Sequence, residues 1–175
     1  MRLLFAMDQK DYQDCTYTYV RNSARSIIIT DGKVAMVHSA KYDYYKFPGG
    51  GIEANEHPID ALLRETLEEV GLQVLRHTVE EYGYVHRKLR SIQDPDQCFV
   101  QDNFYYICQV DGQVLPKNLD SYESDEGYHL VYVNPHQAIT KNRSVGQTPY
   151  DSSMFEREAR VLEQLLEEGC FELEQ

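Results

Sequence analysis

Glu65, Glu68 and Glu69 lie in a segment opened by Pro58 and closed by Gly71. Proline suits a first helical position and glycine the residue just past a helix end, so Pro58 to Val70 reads as a helix. At about 100° per residue the three glutamates fall within an arc of roughly 100°, and Ala61 shares that arc without bulk to cover it. Local structure does not reward this arrangement. Like charges at i,i+3 and i,i+4 cost about 0.2–0.5 kcal/mol each, and acids in a last turn oppose the helix dipole by about 0.3–1 kcal/mol. Carboxylates held together in this way are the usual device for gripping a divalent cation beside a phosphate-bearing ligand. The plain alternative is a solvated acidic helix face. The glycine run Gly49-Gly50-Gly51 just ahead of the helix, followed by Glu53 and Glu56, with Arg64 flanking the acids, favours chemistry over decoration.

The opposite face of that helix carries Ile59, Leu62, Leu63, Thr66, Leu67 and Val70 at i, i+3, i+4, i+7, i+8 and i+11, a stripe that must meet a core. Ser26 to Thr30 is β-branched and apolar, Asp31-Gly32 is a two-residue hairpin signal, and Lys33 to His38 resumes as a strand. Tyr44 to Phe47 leads through Pro48 into the three glycines, which read as a loop or sharp bend. Leu72 to Val85, Phe99 to Val110 and His129 to Val133 have strand character, giving at least five strands. Pro135 to Ile139 reads as one helical turn. Ser152 to Glu168 reads as an amphipathic helix with Phe155, Ala159, Leu162, Leu165 and Leu166 inward and Gly169 as its stop. This order argues an α+β fold with a mixed sheet packed between helices. Residues 1–175 are expected to form one domain, with 1–16 an edge strand or loose arm and 150–169 a C-terminal helix.

Gly50, Glu56, Arg64-Glu65, Glu68-Glu69, Gly71 and Leu72 fit the signature G-x5-E-x7-R-E-U-x-E-E-x-G-U. The segment resembles a Nudix box. The preceding hairpin, the approach Tyr45-Lys46-Phe47-Pro48 and the later strands resemble the family's order across roughly residues 20 to 140. One departure is Asn55, where members commonly have glycine; asparagine tolerates left-handed backbone well enough for the loop to survive.

The resemblance implies a Nudix-type α/β/α sandwich and a metal-dependent pyrophosphohydrolase that cleaves a phosphoanhydride in a nucleoside diphosphate linked to another moiety. By matching box positions, Glu65, Glu68 and Glu69 would hold Mg²⁺ or Mn²⁺ with the Gly49 carbonyl, and Gly50, Gly51, Glu53, Glu56 and Arg64 would shape the loop and orient the ligands. A base must take a proton from the attacking water. Glu65 is one candidate and Glu126 another, since Glu126 precedes the His129 to Val133 strand at a spacing similar to the family's distal acid; an acidic surface loop over Asp120 to Glu126 is the competing reading. Arg25 and Lys46 are candidate phosphate contacts, and Tyr42, Tyr44 and Tyr45 candidate stacking or packing residues. His38, His86 and His129 show no pairing pattern and read as structural.

Lys plus Arg number 17 against 29 Asp plus Glu, a net charge of −12, which disfavours a nucleic-acid polymer or an anionic membrane as partner and leaves a small nucleotide. With no long apolar run and no signal-like start, the expected setting is cytoplasmic, as a monomer or homodimer. Cys15, Cys98, Cys108 and Cys170 are scattered and read as reduced thiols. The markers associated with Nudix subfamilies are missing: His86-Arg87 stands where a proline would suggest ADP-ribose, and Lys88-Leu89-Arg90 where a tyrosine would suggest dinucleoside polyphosphates. The rival class is a non-catalytic module that binds a nucleotide or nucleotide sugar; intact Glu65, Glu68 and Glu69 weigh against it. Because these acids repel one another, the fold is not expected to need the charge of Glu69.

Overall fold

The computed structural model describes residues 1–172. Strands β1 (Leu3–Asp8), β2 (Tyr17–Val20), β3 (Ser23–Ile27), β4 (Ile29–Thr30), β5 (Lys33–Ser39), β6 (Tyr44–Lys46) and β7 (Gly49–Gly51) precede the first helix, α1 (Pro58–Val70). After it come β8 (Leu72–Val74), a 3₁₀ turn at Arg76–Thr78, β9 (Glu80–Arg90), β10 (Gln97–Ile107) and β11 (Val110–Val114). Helix α2 (Ser121–Glu126), strand β12 (His129–Val133) and helices α3 (Pro135–Arg143) and α4 (Ser153–Glu167) complete the order.

The main sheet is mixed and runs β1-β9-β10-β3-β7, with β2 joining β10 ahead of β3. β10 is antiparallel to β9 and parallel to β3, and β7 closes the edge antiparallel to β3. A second sheet, β12-β5-β4 with β6 on β5, is built on the hairpin whose turn residues Asp31 and Gly32 have φ of 50° and 70°. Both central residues are left-handed, as a type I′ turn between twisted strands requires. Neighbouring side chains of β10 leave the sheet on opposite faces. Phe104 packs with Ala24, Ala61 and Leu62 under α1, whereas Tyr105 enters a core with Phe47, Met36, Leu162 and Leu165 under α4. The result is the α+β layering expected, with sheet between helices. No helix among the described residues is long and apolar enough to cross a membrane.

Helix α1 has the predicted bounds. His57 Nδ1 accepts from the Ile59 N–H as N-cap, Pro58 takes the first turn, and Gly71 ends the helix at φ 70°. Leu62, Thr66 and Val70 of the apolar stripe are buried. Thr66 sits in the hydrophobic slot of the box, and its hydroxyl donates to Ser26 Oγ at 3.1 Å, tying helix to β3.

Three expectations change and one alternative is decided. The three glycines are a strand rather than a loop: Ser23, Ala24 and Arg25 lie opposite Gly51, Gly50 and Gly49. A Cβ on Gly49 would stand 2.1 Å from the Ala24 carbonyl oxygen, so this pairing exists only without a side chain there. The stretch from Leu72 to Val85 is broken by the 3₁₀ turn, and β9 continues to Arg90. The turn at Pro135 extends to Arg143, because Asn134 caps it and Ala138, Ile139 and Asn142 find burial that its weak apolar period did not advertise. Residues 1–16 supply β1, a parallel edge strand on β9. The last residues of the expected domain, 173–175, lie outside the described residues.

Gly71 combines positive φ with a close approach: its Cβ would meet the Leu115 carbonyl oxygen at 2.1 Å. Gly71→Ala is expected to destabilise the domain by about 1–3 kcal/mol, read as a lower urea midpoint at unchanged m-value.

Candidate active site

The carboxylate face of α1 and the backbone of β7 form two walls of one cleft of about 1010 Å³. Gly50 faces Glu65 so closely that a Cβ would fall 2.1 Å from Glu65 Oε2. The glycine is therefore the floor on which that carboxylate rests. Arg64 crosses between helix and loop: Nε and Nη2 donate to Glu56 at 2.8 and 2.9 Å, Nη2 also to the Gly51 carbonyl at 3.2 Å, and Nη1 reaches Glu65 and, at 3.3 Å, Glu68. The bidentate pair holds Glu56 below the usual carboxylate range and Arg64 above its ordinary value. Glu56 also accepts from the Glu53 N–H at 2.9 Å, and Asn55 takes the left-handed turn at φ 66°. The box loop is thus braced through Glu56, while the Glu53 side chain stays exposed at the rim.

Glu69 behaves differently from its neighbours. It is 1% exposed; Oε1 accepts from Lys46 Nζ at 2.6 Å and Oε2 from the Gly49 N–H at 2.9 Å. Lys46 is itself buried, with its ammonium 4.5 Å from the Tyr128 ring centre. The expectation that Glu69 is a dispensable charge on a repelling face is corrected: buried in this way it needs its cation. Lys46, expected as a phosphate contact, is engaged by Glu69 instead. Arg25 Nη1 donates to the carbonyls of Phe47 and Gly49, so the Gly49 oxygen proposed as a metal ligand already serves as an acceptor.

Glu126, the expected distal acid, stands apart from the cleft. Glu126 is buried and accepts from Ser39 Oγ at 3.1 Å, Tyr44 Oη at 3.0 Å and Tyr150 Oη, and it borders neither the cleft nor an adjoining cavity of about 400 Å³ that shares Gly51, Glu65 and Glu69 with it. Glu123, one helical turn earlier, borders both. Its carboxylate accepts from the Asp120 N–H at 2.9 Å and the Tyr122 hydroxyl at 3.0 Å, and burial, reinforced by Glu69, raises it above the usual range. The acidic stretch is a capped helix rather than a loop. Its signal was present: Asp120-x-x-Glu123 is a capping box.

Of the tyrosines considered for stacking, Tyr44 is buried against Tyr128 and Phe155, Tyr42 meets Tyr150, and Tyr45 stacks on His38. Tyr19 and Arg21, which sequence reasoning passed over, border the cleft; a Cβ on Gly51 would stand 2.8 Å from Arg21 Nε. His38 and His129 do pair, at 3.3 Å, on the far side of β5 and β12, and His86 pairs with Asp102. Chain separation hid these contacts.

The donor set facing the cleft is all oxygen, which suits a hard divalent cation. Glu65 and Glu68 are the α1 acids whose carboxylate oxygens are tied only to the guanidinium of Arg64, and the Gly50 floor leaves room for Glu65. Among the described residues no three His, Cys, Asp or Glu side chains are gathered as a ready-made metal cluster. The chemistry of these residues fits Mg²⁺ or Mn²⁺, with Glu65 and Glu68 as the available ligands.

A family model for the NUDIX domain matches residues 20–151. An RNA pyrophosphohydrolase of Xanthomonas campestris pv. campestris is 30% identical over 112 residues, 59% of this chain and 54% of that protein. One from Halorhodospira halophila is 55% identical over 42 residues, 24% of this chain and 23% of that protein. The chain spans about half or less of the length of these curated relatives. Among solved structures, a NUDIX hydrolase from Nitrosomonas europaea aligns with a TM-score of 0.60 at 19% identity, over 87% of this chain and 89% of that one. A MutT structure from work on Aliivibrio salmonicida and Vibrio cholerae aligns at 0.53 and 17% identity, over 86% and 99%. At such identities these two likenesses concern the fold alone.

Lys46→Met is expected to destabilise the protein by about 3–5 kcal/mol, because it strands a buried carboxylate, and the double variant Lys46→Met with Glu69→Met should recover much of that loss. Urea unfolding of the three proteins checks both values.

Proposed function

The chain belongs to the NUDIX domain family, and from that premise we propose that it is a metal-dependent pyrophosphohydrolase, cleaving a phosphoanhydride in a nucleoside diphosphate derivative by water attack on phosphorus. The observation that carries the reading is the seat of Glu65 on Gly50: a glycine strand with no space for a side chain, covered by a carboxylate from the helix that also supplies Glu68. Five glutamates between positions 53 and 69, with Asp120 and Glu123, border a cleft whose cations are Arg21 and Arg64. An anionic substrate enters such a place only with added positive charge.

Glu65 and Glu68 would hold the ion, Mg²⁺ or Mn²⁺. When bound, it supplies charge neutralisation at the anhydride oxygens and a more acidic water. Arg64 keeps Glu65 and Glu68 aimed together and, through Glu56, keeps the loop closed beneath them. Glu69 fixes the Gly49 backbone and the Lys46 ammonium, so that β6, β7 and α1 keep their spacing. Proton removal from the attacking water falls to Glu123, whose carboxylate is oriented by the Asp120 N–H and Tyr122 hydroxyl and kept more basic by burial; Glu65 is the alternative. Glu126 is assigned to packing.

The substrate is a small nucleotide in this reading. The name of the relatives, RNA pyrophosphohydrolase, raises RNA as a second one, and the exposed ring of Tyr19 with the half-buried ring of Phe99, 6.2 Å apart, would suit an unstacked base. The net charge of −12 favours the small molecule.

A hydrolysis screen over nucleoside triphosphates, nucleotide sugars, ADP-ribose, dinucleoside polyphosphates and a 5′-triphosphorylated oligoribonucleotide, with and without Mg²⁺ or Mn²⁺, is expected to show metal-dependent phosphate or pyrophosphate release from a nucleotide. No turnover on any of them, with tight nucleotide binding, would favour the binding-module alternative. With the substrate found, Glu65→Gln, Glu68→Gln and Glu123→Gln should each lower kcat by about 100-fold or more at saturating metal. Glu126→Gln should instead keep kcat and lose about 1–3 kcal/mol of stability, since an amide cannot accept from all three hydroxyls.

A further inference from the structure

In the second sheet β12, β5 and β6 run side by side, and His129, His38 and Tyr45 stand opposite one another across the three strands. Neither histidine borders the cleft or the cavity that adjoins it. His38 Nδ1 and His129 Nε2 approach to 3.3 Å with the ring planes at 86°, and Tyr45 packs on His38 with ring centres 4.8 Å apart.

The outer nitrogens decide where the protons are. His129 Nδ1 lies 2.9 Å from the Gly127 carbonyl oxygen, which can only accept, so Nδ1 carries a hydrogen. His38 Nε2 lies 2.9 Å from Asp43 Oδ1, and the Lys141 ammonium at 2.6 Å from Oδ2 keeps that group a carboxylate, so Nε2 carries a hydrogen too. In uncharged rings both inner nitrogens are then bare. Two lone pairs face each other at 3.3 Å and need a positive charge between them. A proton shared by the rings would make a charge-assisted bond, and such bonds shorten to about 2.7–2.9 Å. A tetrahedral zinc ion with two nitrogens at about 2.0–2.1 Å holds them about 3.3–3.4 Å apart. The observed spacing is the second.

The surroundings agree. Imidazoles that bind metal give their other ring N–H to a carboxylate or a carbonyl, which fixes the tautomer and the direction of the lone pair, and both histidines do so. His38 is half-buried, while His129 and Asp43 are exposed, so an ion can reach the pair from solvent. Asp43, at φ 57° in the turn between β5 and β6, is paired with Lys141, which balances the charge already present. We propose that His38 Nδ1 and His129 Nε2 form a binding site for a borderline divalent ion such as Zn²⁺, with water in the remaining positions and Asp43 as a positioning residue. Neutral imidazole suits ions of this class, whereas the oxygen donors of α1 suit Mg²⁺ or Mn²⁺, so the chain sorts two kinds of metal to two places. The ion joins β12 to β5 directly after α2, whose capping residue Gly127 His129 already holds. The inference is independent of the hydrolase reading.

The test is titration of Zn²⁺ into the full chain against a chromophoric chelator, in excess Mg²⁺ to occupy the oxygen ligands and under reducing conditions. The wild type is expected to bind one zinc more than the double variant His38→Gln with His129→Gln, and His136→Gln, a control on α3, should match the wild type. Asp43→Asn, which keeps both nitrogens, should weaken that zinc at least tenfold. Saturating zinc should also raise the Tm of the wild type and leave that of the double variant unmoved. Equal zinc binding by the wild type and the folded double variant would overturn the site. Should the double variant fail to fold, diffraction at the zinc edge from a soaked wild-type crystal decides: an anomalous peak between His38 Nδ1 and His129 Nε2 upholds the proposal, and zinc found only at cysteines or in the acidic cleft, or nowhere, removes it.

Discussion

A buried carboxylate whose two oxygens are committed to different strands fastens the site together. Glu69 receives the Lys46 ammonium from β6 through one oxygen and the Gly49 N–H from β7 through the other, while its backbone belongs to the last turn of α1. Burying such a charge is costly unless each lone pair is used, and the geometry that uses them leaves little freedom in how helix and strands approach. Once α1 is pinned there, Glu65, one turn earlier, can lie only over Gly50, and Arg64 is carried to the loop side where Glu56 waits. The open carboxylates of the cleft are positioned by a closed one deeper in, whose two oxygens are both bonded.

Charge is layered outward from that point. Acids border the outer cleft, with Arg64 cross-linking them, whereas in the adjoining cavity Arg25, Lys46, Arg87 and Arg157 share the lining with Glu65, Glu69, Asp120, Glu123 and Asp151, and Glu158 is the fully buried partner of Arg157. Burial pushes the Glu158 carboxyl up, but Arg157 and Arg25 outweigh it and hold the group ionised, below the usual range. Glu158 also accepts from the Phe47 N–H at 2.8 Å, so α4 is fastened to the segment leading into β7 by the same means that α1 is. Two buried carboxylates, each capping a backbone N–H of the segment around Pro48, position the glycine strand from both layers of the sandwich.

Much of the scaffold was legible from local rules. The Asp31-Gly32 turn demands left-handed backbone and has it, and the proline and glycine bounding α1 mark its ends because their backbone limits act without regard to the rest of the chain. What escaped depended on partners far away in sequence. Three consecutive glycines carry no strand propensity; they pair with β3 because Ala24 presses against Gly49 where no side chain could stand. β1 is a strand because β9 offers an edge, and α3 runs past its expected first turn because the β6 segment, through Asn142 and Tyr45, gives its far end a place to bond. The short helix α2 was marked by its capping box, a local signal that the acidity of the stretch obscured.

For the site, the sequence alone determined which residues could do the chemistry: box spacing set Glu65, Glu68, Glu69 and Arg64 on one side of a helix next to a glycine run, and helical geometry guarantees that neighbourhood. Only the tertiary structure decided which of them are open and which are spent. It closed Glu69 with Lys46 and turned Glu126 into a hydroxyl-bound packing group. It brought Glu123 to the cleft, and it gathered Arg25, Arg87 and Arg157 from two strands and a helix around one cavity. The reason is that a side chain's direction follows from the element it belongs to, whereas its burial and its partner follow from what the rest of the fold packs against it.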